Sequence, residues 1–305
     1  MRSSGTGKTA TSPAGGPASG RCGGGLNHRS TRDPQLRSVE SLDIAVVVAA
    51  TFALPGEFAS WRRLRPFRRC AVGPVPSYET RVGGVRLRVV LTGIGHRAAT
   101  AAVATAFQDR PDVCIASGLA GGLSEALRVA DIVAADSVRD RDGRRIDSDP
   151  RLLALAVRRG AAAVDIYSSP TVVVSAEQKR RMSVIADAVD MESAAILGET
   201  YHLGIPSIAI RAISDPATAD MPLDLNQALT DEGRVSRVRL IAALASRPQA
   251  VRGLVRLGLE GRRAAVALAA FLDAYVEQLA STSMSAQGLE SIDGRQDHDG
   301  IEEEA

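Results

Sequence analysis

DIAVVVAA, Asp43 to Ala50, is an apolar run without polar alternation. A strand with one wet face alternates between polar and apolar residues, whereas a strand covered on both faces does not. The stretch therefore predicts a strand inside a sheet packed on both sides. The chain around it repeats the pattern. VRLRVVLTG (Val85 to Gly93) reads as a second strand, with the Ala-rich helix AATAAVATAF behind it. VCIASG (Val113 to Gly118) is a third, ending in the glycine turn LAGGL, and DIVAADSV (Asp131 to Val138) is a fourth. DRDGRRI carries an Asp-Gly turn signal, and TVVVS (Thr171 to Ser175) reads as a further strand. AVDMESAAI (Ala188 to Ile196) opens a helix to about His202, with Gly204 as its stop and Pro206 beyond. SIAIRAISD (Ser207 to Asp215) is the last strand, and helices fill the stretch from about Asp224 to Leu279. Strands alternating with helices predict an α/β fold of three layers, α/β/α, with a mostly parallel, mixed central sheet.

The same reading sets the boundaries at a tail over 1–40, one domain over 41–280 and an acidic tail over 281–305. The first tail is rich in Gly, Ser, Thr, Pro and Arg and lacks apolar periodicity. Its GTGKT (Gly5 to Thr9) imitates a phosphate loop, but Arg2 stands where the leading glycine belongs and no strand precedes it. A net charge of +2 argues against a general polyanion binder, and 3% aromatic residues argue against stacking on single-stranded nucleic acid. Cys22, Cys70 and Cys114 are odd in number and widely spaced, as in free thiols of a reducing compartment. The four histidines are scattered, so no metal cluster is visible. Without a signal-like start or an unbroken apolar stretch of roughly 18 residues, the expected location is the cytoplasm.

In sheets of this kind, ligands sit outside the carboxyl ends of the strands. That rule selects Gly93 to Gly95, Ser117 to Gly122, and Ser214 with Asp215. Asp190 reads as a helix N-cap. Glu192, about 200° further round the helix, cannot share that role. It is either an idle first-turn glutamate or a carboxylate placed to accept two hydrogen bonds from a diol.

VDMESAAI, ISDPA (Ile213 to Ala217), GIGHRAA (Gly93 to Ala99) and SGLAGGL (Ser117 to Leu123) together resemble the nucleoside phosphorylase family that includes methylthioadenosine/S-adenosylhomocysteine nucleosidases. The resemblance spans about Asp43 to Pro216. Ala228 to Leu257 is further similar to the hopanoid-associated phosphorylase group, linked to removal of adenine from adenosylhopane. The resemblance implies cleavage of a purine, most readily adenine, nucleoside at its N-glycosidic bond. Asp215 would protonate N7 of the base, its burial keeping a proton available near neutral pH. Ser214 would place Asp215, Glu192 would hold the ribose hydroxyls, and Met191 would pack on the sugar. Gly93, Gly95, Ser117 and Gly118 would let backbone approach the ligand. The resemblance also implies a homo-oligomer and no cofactor, with phosphate an optional co-substrate.

The attacking group is less well marked. The resemblance to the nucleosidases implies an acid soon after the first strand that helps activate water; TFALPGEFASW offers only Glu57 for it, which equally fits a surface position at a helix start. Where many phosphorylases carry an arginine, this chain has Ala116. Arg97 and Arg211 are the alternatives for a phosphate site, and Arg211 equally reads as a buried structural arginine. Ala130 replaces the family's glycine before Asp-Ile-Val, from which a local backbone change is expected. Three competing readings remain. GIGHRA fits a dinucleotide fingerprint, but Asp112 begins the next strand instead of ending it. WRRLRPFRRC (Trp61 to Cys70) is either a solvated amphipathic helix or a peripheral contact with an anionic membrane, with Pro66 against any long helix. A nucleoside-binding protein without catalysis would keep Glu192 and lose the acid; Asp215 favours an enzyme.

Overall fold

The computed structural model describes residues 46–228, 230 and 249–293. Its sheet is built from β1 (Val47–Phe52), β2 (Arg68–Val72), β3 (Val75–Val82), β4 (Val85–Leu91), β5 (Val113–Gly122), β6 (Ile132–Arg139), β7 (Arg145–Asp147), β8 (Ala162–Ser168), β9 (Ala188–Asp190) and β10 (Ser207–Asp215). The run β4–β1–β5–β10 is parallel throughout. Antiparallel pairings belong to the β2–β3–β4 meander, to β7 on β6, to β9 on the far end of β5, and to β10 on β6. Because β5 bonds both β9 and β10, the sheet curls back on itself where the cleft lies.

Helices cover both faces. On one side α4 (Pro150–Arg158) and α7 (Ala250–Asp293) pack with α1 (Pro55–Phe58) and α2 (Trp61–Leu64) over Val48, Leu87, Ile115 and Ile210. On the other, α3 (His96–Ala106) and α6 (Ser193–Leu203) cover Val90, Cys114, Val133 and Ala209. Alternate residues of β1, β5 and β10 thus reach opposite cores, which is why their sequences are apolar without a break. At α7, Ala264, Leu268, Leu272, Tyr275 and Val276 lie on one buried stripe. That helix is long and apolar enough to cross a membrane, but its packed stripe makes it a core helix of this fold. It runs on to Asp293, past the boundary expected at 280.

Several local expectations need correction. Thr171–Ser175 is not a strand: its backbone is satisfied by side chains, with Asn226 holding the Val172 amide and carbonyl and Gln178 the Val174 and Ser175 amides. The strand of that region is β8, earlier in the chain. WRRLRPFRRC is not one helix, because α2 ends at Leu64 and β2 starts at Arg68 across Pro66. Its Trp61 and Phe67 face inward, in a ring cluster with Phe52, Phe58 and Tyr78, and are unavailable to a membrane. Ala130 has a positive φ of 76°, a conformation that strains a residue carrying a Cβ. Gly204 ends α6 in the left-handed region at φ 68°.

Candidate active site

One cavity collects the carboxyl ends of β5, β9 and β10, the Thr171–Val173 loop and α5 (Ala176–Met182). Asp215 stands at one end of it, 3% exposed. The Ser214 hydroxyl donates to its Oδ1 at 2.6 Å, and Lys179 Nζ donates to Oδ2 at 2.5 Å. An irregularity of β10 between Ile213 and Asp215 resets the strand's direction here. Gly121 faces the carboxylate, and a Cβ on it would come within 3.2 Å of Oδ2. Burial alone therefore does not describe Asp215, whose ammonium partner was not expected.

Glu192 lines the same cavity with Met191. It occupies the N-cap position of α6 without capping it; its Oε1 instead accepts the Gly95 amide at 2.7 Å. Gly95 is at φ 88°, a conformation that presents this amide and suits glycine alone. Burial pushes the Glu192 carboxyl up to about 7; Arg211 opposes the shift, while Asp190 and Glu57 add to it. Asp190 ends β9 and is not the N-cap, although its Oδ2 accepts the Ser193 amide at 3.1 Å. Its main partner is Arg211, at 2.6 Å, in an ion pair with both side chains buried.

Arg211 is thus inside the site. Its guanidinium also donates to Ser193 Oγ and to the Ser117 carbonyl at 3.1 Å. A Cβ at Gly118 would overlap that guanidinium, so a glycine is required there. Glu57 turns its carboxylate inward, where Oε2 accepts the Ala53 and Leu54 amides at 3.1 Å each. Burial raises its pKa, with Arg211 pulling the other way. The surface reading of Glu57 is therefore set aside. It borders a groove between α1 and α7 and does not line the cavity that holds Asp215 and Glu192.

Asp215, Ser214, Glu192 and Met191 meet on one cavity. Gly95 joins through its amide and lines an adjoining cavity of about 620 Å³ that shares Thr171 and Met191. Ser117 does not present its side chain there: its hydroxyl donates to the Thr51 carbonyl at 2.6 Å, away from the cavity. Gly93, whose amide donates to the Ala53 carbonyl, and Gly118 shape the floor without lining the cavity. Lys179 and the Thr171–Val173 loop were missed. In sequence, Lys179 stands beside Arg180 and Arg181 in what reads as a solvated basic run.

A layered α/β fold with a carboxylate-lined cleft at its strand ends is the setting of a small-molecule site. The chain belongs to the phosphorylase superfamily, whose family model matches residues 47–246. It is similar to the 5′-methylthioadenosine/S-adenosylhomocysteine nucleosidase of Shewanella halifaxensis, 28% identical over 185 residues, which are 51% of this chain and 80% of the relative. Its fold matches the futalosine hydrolase of Helicobacter pylori, at TM-score 0.62 and 19% identity over 77% of this chain and 99% of that one. The nucleosidase of Neisseria meningitidis in complex with methylthio-immucillin-A matches at TM-score 0.59 and 25% identity, over 76% of this chain and 99% of that one.

Proposed function

We propose that the protein hydrolyses the N-glycosidic bond of an adenine nucleoside that carries a substituent on the 5′ carbon. The carrying observation is the pair of buried acids in one cavity, Asp215 fixed by Ser214 at one end and Glu192 fixed by the Gly95 amide at the other. Breaking the bond leaves an oxocarbenium-like ribose and a base that must be protonated to depart. Asp215 gives N7 that proton. Glu192 accepts hydrogen bonds from the ribose hydroxyls, and Met191 packs against the sugar. Glu57, its carboxylate inside and beside Arg211, takes the proton of the attacking water. Side chains alone serve these steps.

Water is favoured over phosphate by the charge around Arg211. Asp190, Glu57 and Glu192 already act on it, and Ala116 offers no second cation. A phosphate dianion there would meet three carboxylates in a dry site, where repulsion is strong. Adenine is supported by the nucleosidase relatives. For the 5′ group, adenosylhopane is the candidate from the resemblance of Ala228 to Leu257, and methylthioadenosine is the alternative. Of that stretch, 229 and 231–248 lie outside the described residues. The family resemblance also supports a homo-oligomer, and the widely spaced cysteines support a reducing cytoplasm; analytical ultracentrifugation and cell fractionation would check the two. The test is adenine release from methylthioadenosine, S-adenosylhomocysteine and adenosylhopane. Release from at least one is expected; binding without release across the whole panel would defeat the reading.

A further inference from the structure

The reaction described above leaves unused the buried charge beside its acid. Lys179 is 1% exposed, although its neighbours Arg180 and Arg181 are solvated. Burying an ammonium costs several kcal/mol unless it is paired and hydrogen-bonded. All three of its donors are engaged: Asp215 Oδ2 at 2.5 Å, the Pro216 carbonyl at 2.8 Å and the Ala219 carbonyl at 3.1 Å. Both carbonyls follow Asp215 in the chain, so one lysine fixes the acid and the backbone behind it.

The groups facing this pair are few. Ser214 holds the other oxygen of Asp215. Glu192 lines the same cavity, and Asp190 is tied to Arg211. On α5 itself, Glu177 pairs outward with Arg181, while Asp220 accepts the Ala176 amide. An aspartate written as a carboxylate against an ammonium has no proton of its own to give. The pair as a whole has one, on nitrogen.

We propose that Lys179 is the positioning residue of the acid: it holds Oδ2 and stores the proton that Asp215 passes to the base. The inference rests on the reading of Asp215 as the acid. As the C1′–N9 bond breaks, its electron pair moves into the purine, N7 takes a proton from Asp215, and Asp215 takes one from Lys179. The neutral amine is recharged, through solvent, by the proton that the attacking water gives up.

The test compares two leaving groups on the wild type, Lys179→Gln and Lys179→Arg. Methylthioadenosine needs a proton at N7, whereas 4-nitrophenyl β-ribofuranoside expels a phenolate that needs none. With Lys179→Gln, adenine release should fall roughly 10²- to 10³-fold while nitrophenolate release stays within about threefold. Lys179→Arg should show the same split, because a guanidinium keeps its proton. It also keeps the cation in place, so it decides the matter if the glutamine variant does not fold. Undiminished adenine release in Lys179→Gln, an equal fall on both substrates, or full adenine release in Lys179→Arg would each overturn the proposal. A wild type that releases nitrophenolate but no adenine from any of methylthioadenosine, S-adenosylhomocysteine and adenosylhopane would overturn the parent reading instead, and this one with it.

Discussion

Two buried charge clusters sit four residues apart on β10, one around Arg211 and one around Asp215. In the first, a single cation serves Asp190, Glu192 and Glu57, and two of those acids have raised pKa values. In the second, one acid has one cation and one hydroxyl to itself. The ratio of cations to carboxylates therefore separates their uses. Under the proposed function, the competing carboxylates act as acceptors, of sugar hydroxyls and of a proton from water. A balanced pair can pass a proton on.

The sharpest break of this comparison is Asp215→Asn, which keeps the shape and removes the acid. Adenine release should fall about 10³-fold or more while the KM moves little; steady-state kinetics on methylthioadenosine decide it, and an active variant would put the acid elsewhere. Glu57→Gln should cost about 10²-fold in kcat, and an unchanged kcat would mean that water is activated by another group.

Glu192→Gln separates the clusters by pH. A carboxyl with a raised folded-state pKa binds more protons folded than unfolded, so its contribution to stability is lost as pH rises from about 4.5 to about 7. The variant should therefore melt on the order of 5 °C above the wild type at pH 8, with no advantage at pH 4.5. Its KM should nevertheless rise, since the amide accepts from the diol less strongly. In the wild type, kcat/KM should fall as pH drops through about 7, where the carboxylate becomes neutral. Equal melting curves at pH 8 would remove the competition inferred around Arg211.

The smallest effect lies outside both clusters. Ala130 at φ 76° carries a strain of roughly 1 kcal/mol. Ala130→Gly should raise the melting temperature by about 2–3 °C, less whatever the freer unfolded chain gives back, without altering kcat.

Of the strands that build the cleft, β5 and β10 were legible because they are buried on both faces, whereas β9 was read as the opening of a helix. SIAIRAISD has no wet face to interrupt it, and Asp215 stands out at its end. TVVVS misled for a related reason. Its β-branched residues look like a strand, but among the described residues no neighbouring strand pairs with it; Asn226 and Gln178 side chains hold the Val172, Val174 and Ser175 amides, and the Met221 amide donates to the Val174 carbonyl. AAVDIYS, the strand of that region, was not singled out; its apolar run is interrupted by Asp165, whose carboxylate accepts the Ser137 hydroxyl. Asp190 was read as a helix N-cap, and its ion pair was not legible because its cation lies 21 residues on at Arg211. Lys179 had no signal at all: three consecutive basic residues give no sign of which one a short helix turns inward.

The most direct test of hydrolysis by this site is a single-turnover reaction with methylthioadenosine, run with and without phosphate and resolved for the sugar product. The account predicts free 5-methylthioribose and adenine at the same rate in both. A rate that needs phosphate, with 5-methylthioribose 1-phosphate as product, would contradict it and require a cationic site that the three carboxylates around Arg211 do not leave room for.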